Sequence, residues 1–521
     1  MVDHCNPVAG KVRGQSGDWP PELELTSMSI KQLGLWGGLA LVLLIILLPP
    51  PGGLSVPAWR AAAVTLLMTV WWLTEAIPIY ATAFVPLVLF PFLGIVDAKT
   101  TAENYGHPYV LMLLGGFFIA KAIEVHHLHK RIALLTIRLL GNDRRRLILS
   151  FMIATAFLSM WIANVAVTLL MLPIALAIID KEELSGRKGN YGLALMLAIA
   201  YSASIGGTAT LIGTPPNMAF VGILEKLFPE APPISFFDWF KVGFPLVIVF
   251  IPIVWWYIVK YFSVGGALSG SQDVIETEFQ SLGKLQGGEK RVLIIFALTA
   301  FGWIFRRDFE LGDYTVPGWE TWIGAQGNTH DAVVAIFSAL ILFMLPAEGW
   351  KGERLLNWEQ AQSVPWGVVM IVGGGYAIAD GFAQTGLAEW IGGELAFISQ
   401  FPTFLVVLLV VGLMIFLTEV NSNTATANIF LPVLATMGVA GGANPLLLMI
   451  PATFACSFAF MMPSGTGTNT VIFASGRVTI PQMARCGLWL NVIFIFLLTL
   501  MLYVLVIPAL GIDGALPVWA Q

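Results

Sequence analysis

Long apolar stretches, separated by short polar segments, occupy almost the whole chain after about residue 32. The first is LGLWGGLALVLLIILL (33–48) and the last is LWLNVIFIFLLTLMLYVLVIPAL (488–510). Apolar stretches of about 18 residues or more are typical of transmembrane helices, because a helix of that length spans the hydrocarbon core of a bilayer. The pattern therefore predicts an all-α, polytopic membrane protein with about 11 transmembrane helices. Some further segments are too short or too rich in glycine to cross.

The composition agrees with this pattern. Of the 521 residues, 57% are hydrophobic and 11% are charged, and the mean hydropathy is +0.80. Soluble globular chains are about 25% charged, so this chain lacks the polar residues to cover a surface exposed to water. We expect the lipid bilayer to surround it. The net charge of −5 is spread through the loops and gives no indication of a nucleic-acid partner.

The polar segments predict how the chain lies in the membrane. Residues 1–32 are polar and contain proline, so we expect a disordered cytoplasmic tail and not a cleaved signal peptide. The loop 126–147 carries six lysine or arginine residues. By the positive-inside rule this loop is cytoplasmic. The predicted location is the cell (inner) membrane, crossed many times.

Three sequence motifs occur twice, in the same order and at nearly the same separation along the chain. Asn164 in the second motif matches Asn423, and Asn217 in the third matches Asn469. Three matches in register indicate two repeats, where one match would carry little weight. The pairs are LMLLGGFFIAKAI (111–123) with VMIVGGGYAIADG (369–381), WIANVAVTLLMLPIA (161–175) with EVNSNTATANIFLPVLA (419–435), and LIGTPPNMAF (211–220) with PSGTGTNTVIF (463–473).

Polar residues within these repeats predict a binding site. The segment LTEVNSNTATANIFLP (417–432) lies between strongly apolar stretches, and buried polar groups persist at membrane depth where they line a cavity or pack within protein. Repeats in transporters are often inverted, with a substrate site where broken helices of the two halves meet. The free N–H groups of a broken helix favour anions, and its free carbonyls favour cations. The sequence therefore predicts secondary transport of a small anion together with a cation.

The glycine pairs in the first motif have two interpretations. We interpret residues 115–116 and 373–375 as the turns of two re-entrant hairpins, because short apolar arms flank them. Close packing of helices through small residues is the alternative.

Four segments resemble the divalent anion/sodium symporters, the family of sodium-coupled dicarboxylate, citrate and sulfate carriers. They are WWLTEAIPIYATAFVPLVLFPFLGI (71–95), SIGGTATLIGTPPN (204–217), SNTATANIFLPVL (422–434) and FAFMMPSGTGTNTVIFASG (458–476). The resemblance implies sodium-coupled symport of small divalent anions, most readily C4 dicarboxylates such as succinate, malate or fumarate. It also implies a homodimer, in which each protomer has a scaffold domain and a transport domain that moves like an elevator.

The motifs and the resemblance together divide the chain into six parts. We expect the cytoplasmic tail at 1–32, N-terminal scaffold helices at 33–106, transport elements of the first repeat at 107–222, further scaffold helices and loops at 223–363, transport elements of the second repeat at 364–480, and a C-terminal helix at 481–521.

The resemblance also implies site residues. Sodium ions would bind at Ser159, Ala163, Asn164 and Gly213 in the first repeat and at Thr418, Asn421, Asn423 and Gly465 in the second. The dianion would contact Asn164, Thr214, Ser422, Asn423, Thr424, Thr466 and Gly467. The chain departs from the family pattern in two places. Residues 163–165 are Ala-Asn-Val where the family has Ser-Asn-Thr, and residues 465–469 are GTGTN where the family has prolines.

Several alternatives remain open at this point. A sodium-independent dicarboxylate exchanger would use the same site, and the anion could be sulfate or a tricarboxylate. An intramembrane enzyme would need a nucleophile with a base or an acid-rich metal motif, and neither lies near the repeated motifs. Of the acids near membrane spans, Glu75 is expected to brace a helix end, and Glu419 could add charge to the second cation site.

Overall fold

The computed structural model describes residues 29–140, 143–184, 190–266, 271–311, 314–349 and 352–521. Nearly all regular structure in this part of the chain is helical, which confirms the predicted all-α class. One small antiparallel pair of strands joins β1 (Phe309–Leu311) to β2 (Tyr314–Val316). Most of the predicted tail lies outside the described residues.

The N-terminal helices begin at polar caps. The Ser29 hydroxyl accepts the Gln32 N–H at the start of the first helix, and the Ser55 hydroxyl accepts the Ala58 N–H at the start of the second. Such caps satisfy backbone N–H groups that a helix leaves unpaired. The helices are α1 (Ile30–Leu47), α2 (Val56–Thr74), α3 (Ile79–Thr82), α4 (Val85–Phe92) and α5 (Ala98–Glu103), followed by a 3-10 turn at Asn104–Gly106.

The two repeats have the same order of helices. The first contains α6 (Pro108–Val125), α7 (Leu128–Leu140), α8 (Arg144–Ser159), α9 (Asn164–Leu184), α10 (Tyr191–Gly207) and α11 (Pro215–Leu227). The linking part contains α12 (Phe236–Tyr261), α13 (Ser271–Ser281), α14 (Gly287–Ile304), α15 (Trp319–Trp322), α16 (Asp331–Met344) and α17 (Trp358–Gln362). The second contains α18 (Trp366–Thr385), α19 (Leu387–Glu394), α20 (Thr403–Thr418), α21 (Asn423–Ala440), α22 (Leu446–Ala455) and α23 (Gly467–Ala474).

The chain ends in α24 (Ile480–Met501) and α25 (Ile507–Leu510), which a π-helical turn at Leu502–Val506 joins. Two more 3-10 turns occur at Ala396–Gln400 and Val518–Ala520. Among the described residues, seven helices are long and apolar enough to cross a membrane, and five shorter apolar helices of 10–17 residues accompany them. The count of about 11 crossings stays a prediction.

Helices α8 and α9 form an antiparallel hairpin. Arg144 at the start of α8 pairs with Glu182 near the end of α9, at 2.5 Å between Nη2 and Oε2. At the other end, Asn164 at the start of α9 lies against Gly207, where α10 ends. The 16 residues of α8 extend about 24 Å, which is shorter than a bilayer core of about 30 Å. Helix α9, in contrast, is long and apolar enough to cross a membrane. The prediction of a loop over residues 126–147 is wrong over residues 128–140, which form α7.

Helices α20 and α21 form the corresponding hairpin from the opposite side. Ile398, just before α20, lies against Gly441, just after α21. Beyond that end, Asn444 lines a surface cavity together with Asp238 at the start of α12. The far end of α12 reaches the base of the first hairpin, where Arg145 donates to the Val264 carbonyl at 2.7 Å. The two hairpins thus approach each other from the two ends of α12.

The predicted turns at the glycine pairs are wrong. Helices α6 and α18 run unbroken through residues 115–116 and 373–375. A Cβ placed on Gly115 would lie 2.7 Å from the Ala335 Cβ, and one placed on Gly375 would lie 2.1 Å from the Asn428 Oδ1. These glycines allow neighbouring helices to approach closely, which is the alternative that the sequence left open.

Replacing Gly115 with alanine is expected to lower the melting temperature of the detergent-solubilised protein. The new Cβ would overlap Ala335 of α16, and overpacking of this kind costs about 1–3 kcal/mol. The matched control is Gly37→Ala in α1, where nothing lies within 4 Å. That change should leave stability equal or raised, since alanine favours helix. Equal melting temperatures for the two variants would contradict the close packing at Gly115.

Candidate functional site

The tips of the two hairpins meet around one cavity of about 640 Å³. Every residue expected at the site lines this cavity except Ser159 and Thr418, which lie directly behind it. The lining from the first repeat includes Ala163, Asn164, Val165, Gly213 and Thr214, and that from the second includes Asn421, Ser422, Asn423, Thr424, Gly465, Thr466 and Gly467. Residues of the N-terminal helices, including Trp72, Glu75 and Tyr80, complete the wall.

Each repeat also contributes a non-helical segment between two helices, which we call its chain break. Helix α10 ends at Gly207 and α11 begins at Pro215, while α22 ends at Ala455 and α23 begins at Gly467. At each break, the side-chain amide of one buried asparagine donates hydrogen bonds to backbone carbonyls at that same break. Asn217 Nδ2 donates to the carbonyls of Gly207 (3.3 Å) and Thr210 (2.7 Å). Asn469 Nδ2 donates to those of Ala459 and Met462, both at 3.0 Å. The recurrence of Asn217 and Asn469 in the sequence therefore reflects a positioning role.

Four helices begin at the cavity wall: α9 at Asn164, α11 at Pro215, α21 at Asn423 and α23 at Gly467. The residues that precede three of them, Thr214, Ser422 and Thr466, make no side-chain cap bond. The first N–H groups of a helix have no partner within it, and they carry partial positive charge. The cavity therefore presents a concentration of positive dipole ends, which suits an anion without placing a fixed positive charge in the membrane.

Behind the second tip lies a cluster of oxygen atoms. Thr418 Oγ1 lies 2.8 Å from the Cys456 carbonyl and 2.7 Å from one terminal atom of the Asn423 amide. That amide atom also lies 2.9 Å from the Cys456 carbonyl and 3.1 Å from the Gly465 carbonyl. With its nitrogen facing this group, the Asn423 amide has two hydrogens to share among the three oxygens; with its oxygen facing the group, four oxygens converge. Carbonyl and hydroxyl oxygens from unwound backbone are the ligands of Na⁺ in broken-helix transporters, so these residues fit that ion.

The first repeat has a related but smaller cluster. Ser159 Oγ lies 2.6 Å from Asn164 Oδ1 and 2.7 Å from the Ala203 carbonyl. A hydroxyl has one hydrogen to donate, so it cannot satisfy both oxygens at once. The Ala163 carbonyl already accepts the N–H groups of Ala166 (2.9 Å) and Val167 (3.2 Å), where it starts the hydrogen bonds of α9. The structure thus brings Ser159 and Asn164 together as expected, while the Ala163 carbonyl is shared with the helix.

Glu419 does not face the cavity. Its carboxylate accepts the backbone N–H groups of Phe460 (2.7 Å), Met461 (2.9 Å) and Met462 (2.9 Å), and also the Asn491 side-chain amide (2.7 Å). The residue is 3% exposed. The expectation that Glu419 adds charge to the cation cluster is therefore wrong: it holds the chain break of the second repeat in place.

Glu75 has the expected role at a helix end. It follows the last residue of α2 in a left-handed conformation, with φ of 47°. Its carboxylate pairs with Lys31 of α1 at 3.3 Å, and both side chains are exposed. Glu75 also lines the cavity, where it and Tyr80 are the ionisable side chains among the lining residues.

Sequence reasoning missed a contact between the repeats. Ser204 Oγ of α10 lies 3.1 Å from Thr468 Oγ1 of α23, and both residues are buried. The Tyr201 hydroxyl, one turn earlier, donates to the Phe460 carbonyl at 2.8 Å. These bonds join α10 of the first repeat to α23 and to the chain break of the second. No local spacing in the sequence signals them.

Replacing Glu419 with alanine is expected to lower the free energy of unfolding by at least about 2 kcal/mol. Three buried backbone N–H groups and one amide would lose their acceptor, and each unsatisfied group costs about 1–3 kcal/mol. Glu75→Ala, which removes an exposed acid, is the control and should have little effect. The measurement is thermal unfolding of both variants in detergent. A neutral Glu419→Ala would show that the loop is held by other contacts.

Comparison with known proteins agrees with this architecture. A family model described as the sodium:sulfate symporter transmembrane region matches residues 30–509. The chain is 41% identical, over 507 residues and 95% of each chain, to the sodium-dependent dicarboxylate transporter SdcS of Staphylococcus saprophyticus. It is 40% identical over 462 residues to the transporter of the same name from Staphylococcus aureus strain MRSA252, covering 87% of this chain and 86% of that one.

Two solved structures share the fold at low sequence identity. The YdaH transporter of Alcanivorax borkumensis matches with a TM-score of 0.54 and 13% identity, over 85% of this chain and 98% of that one. MtrF of Neisseria gonorrhoeae matches with a TM-score of 0.55 and 14% identity, over 90% and 97%. With its seven candidate spans, the protein is an integral, multi-pass membrane protein. The chain belongs to the family defined by the sodium:sulfate symporter transmembrane region.

Proposed function

We propose that the protein is a secondary transporter that couples sodium to the movement of small dicarboxylates, C4 acids such as succinate, malate or fumarate. The observation that carries this proposal is the convergence of four helix N-termini on one cavity, with an oxygen cluster behind each hairpin tip. Dipole ends at the front suit carboxylates, and hard oxygens behind suit sodium. The names of the relatives, sodium-dependent dicarboxylate transporters, support the same substrate and ion.

The site residues have distinct roles in this proposal. The anion contacts Asn164, Thr214, Ser422, Asn423, Thr424, Thr466 and Gly467, all of which line the cavity. The two sodium ions are held by Ser159, Ala163, Asn164 and Gly213 and by Thr418, Asn421, Asn423 and Gly465. Because Asn164 and Asn423 belong to both sets, the ions and the anion share side chains and offset each other's charge. Their binding is then cooperative, and such coupling is reciprocal.

The proposed movement follows from the two hairpins and the domain division. The transport elements at 107–222 and 364–480 carry the site past scaffold parts at 33–106 and 223–363, like an elevator. A homodimer in the cell (inner) membrane, with the basic segment 126–147 on the cytoplasmic side, completes the proposal. The support for the dimer and the elevator is the family resemblance together with hairpins that approach from opposite ends of α12.

The alternatives receive less support from the cavity. A sodium-independent exchanger would not need oxygen clusters behind the tips. A sulfate or tricarboxylate carrier would use the same dipole ends, so uptake must decide between anions. An enzyme would need a nucleophile beside a base, whereas the ionisable side chains among the lining residues are Glu75 and Tyr80.

Proteoliposomes that contain the purified protein are expected to take up labelled succinate when a sodium gradient is present, and far less when choline replaces sodium. Citrate and sulfate, tested in parallel, should enter more slowly. Asn423→Ala should abolish uptake because it removes an anion contact and a sodium ligand together. Ser399→Ala, an exposed position before α20, is the control. Uptake that needs unlabelled succinate inside the vesicle and ignores sodium would favour the exchanger.

Sodium is expected to raise the affinity for succinate about 5–150-fold, the usual range of coupling between two sites. Thr418→Ala should weaken this effect more than Ser159→Ala, because the second cluster contains the additional Gly465 carbonyl. Ser150→Ala, which removes a buried hydroxyl bonded within α8, should change nothing. The measurement is succinate affinity of the purified protein across a sodium titration, with choline holding ionic strength constant. A flat titration in the unmodified protein would contradict sodium coupling.

A further inference from the structure

The two repeats differ in two short segments at the cavity, the hairpin tip and the end of the chain break. The first hairpin tip has Ala-Asn-Val at residues 163–165, whereas the second has Ser-Asn-Thr at residues 422–424. The chain break of the first repeat ends in Thr-Pro-Pro-Asn at 214–217, whereas that of the second ends in Thr-Gly-Thr-Asn at 466–469. Each difference removes hydrogen-bond donors from the first repeat that the second keeps. The first tip lacks hydroxyls, and the first break lacks backbone N–H groups.

These two differences meet in space. A Cβ placed on Gly467 would lie 2.5 Å from the Val165 Cγ2, closer than van der Waals contact allows. Valine is branched at Cβ and has little freedom to turn away. Glycine at 467 and valine at 165 therefore fit each other, and a side chain on Gly467 would require a smaller residue at 165.

The start of α23 provides backbone N–H donors that the start of α11 lacks. Proline has no N–H, so Pro215 and Pro216 give α11 no donor at its first two positions. Gly467 and Thr468 keep their N–H groups at the corresponding positions of α23. The Thr466 side chain does not cap them, and within the described residues neither N–H has an acceptor. Gly467, which carries the first of these donors, thus lies next to Val165, which has no hydroxyl.

A separate observation indicates that the cavity binds a ligand with hydrogen-bond acceptors. Asn421 lines the same cavity and is 6% exposed, yet its Nδ2 has no hydrogen-bond partner among the described residues. Its Oδ1 accepts the Ser422 N–H at 2.9 Å, which fixes which end of the amide remains free. Buried amide groups are nearly always paired, and an unpaired one is costly. A ligand with acceptor oxygens would satisfy this amide as well as the first turn of α23.

We propose that the backbone N–H groups of Gly467 and Thr468 bind the second carboxylate of the substrate, in place of the hydroxyls that the first hairpin tip lacks. The Ser422, Asn423 and Thr424 tip binds the first carboxylate. This inference rests on the proposed function, in which the cavity holds a dicarboxylate. Val165 and Gly467 are then a specificity-determining pair: valine excludes side chains at 467, and glycine brings the donors of α23 within reach of the anion.

The test distinguishes the loss of a backbone N–H group from a change in the side-chain volume at residue 467. In a Val165→Ala background, Gly467→Ala fills the vacated space and keeps its N–H, whereas Gly467→Pro removes the N–H. Proline is compatible with the first position of a helix, as Pro215 illustrates in α11. The affinity for succinate at saturating sodium is compared directly between these two variants, which share the Val165→Ala background. It should be at least about tenfold lower in the proline variant than in the alanine variant, the loss expected for a hydrogen bond to a charged group.

Two further readouts identify the second carboxylate. Butyrate, which has one carboxylate and the same chain length, should bind equally to the alanine and proline variants. Val165→Ser combined with Gly467→Pro should recover part of the succinate affinity, since it returns a hydroxyl beside the lost N–H. Thr468→Pro removes the neighbouring N–H and should behave like Gly467→Pro. Its control, Thr468→Val, keeps the N–H and loses the hydroxyl that contacts Ser204.

The outcomes distinguish this inference from the function on which it rests. If the unmodified protein shows sodium-dependent succinate uptake and Asn423→Ala abolishes it, the proposed function holds. Equal succinate affinity of the Gly467→Ala and Gly467→Pro variants, or of Thr468→Pro and Thr468→Val, would then overturn only the role of these N–H groups. An unmodified protein that takes up no succinate would instead contradict the proposed function itself.

Discussion

The arrangement of this site depends on one constraint: backbone that leaves a helix within the membrane must find hydrogen-bond partners inside the protein. Each repeat leaves helical structure twice, at a hairpin tip and at a chain break. Asn217 and Asn469 satisfy carbonyls of their own breaks with a single amide each. Among the described residues, the first two N–H groups of α9, α21 and α23 have no backbone acceptor, and these helix starts lie at one cavity, whereas α11 begins there with two prolines. The site therefore consists of the polar groups that the fold leaves available for a ligand.

Each repeat has a hydrogen bond between its chain break and its hairpin tip, but the groups that donate and accept differ between the repeats. In the first, the Thr210 hydroxyl of the chain break donates to the Met160 carbonyl of the hairpin tip at 2.5 Å. At the matching position of the second, the Met462 N–H of the break donates to the Glu419 side chain of the tip at 2.9 Å. In the first repeat a side chain of the break is the donor, and in the second a side chain of the hairpin is the acceptor. Duplication preserved the contact between break and tip, while its donor and acceptor groups diverged.

The sequence predicted the site more fully than the path of the chain around it. The recurrence of Asn164 and Asn423 led to residues that do share one cavity, because polar groups inside apolar stretches are costly and concentrate where the membrane protein binds a ligand. The hairpin turns were misplaced, because glycine that permits close packing and glycine that forms a turn give the same pattern. The actual turn between α8 and α9 is Met-Trp-Ile-Ala at 160–163, which has no turn signal. The partners of Glu419 lie too far along the chain for any spacing to predict.

Among the described residues that line the cavity there is no lysine or arginine, and this follows from what a carrier must do. A lysine or arginine beside the anion would have to remain buried and unpaired whenever the cavity is empty, at a large cost in free energy. Helix dipole ends and neutral hydroxyls attract a carboxylate while costing much less when empty. A site made of such groups is stable both with and without its ligands, and alternating access requires both states.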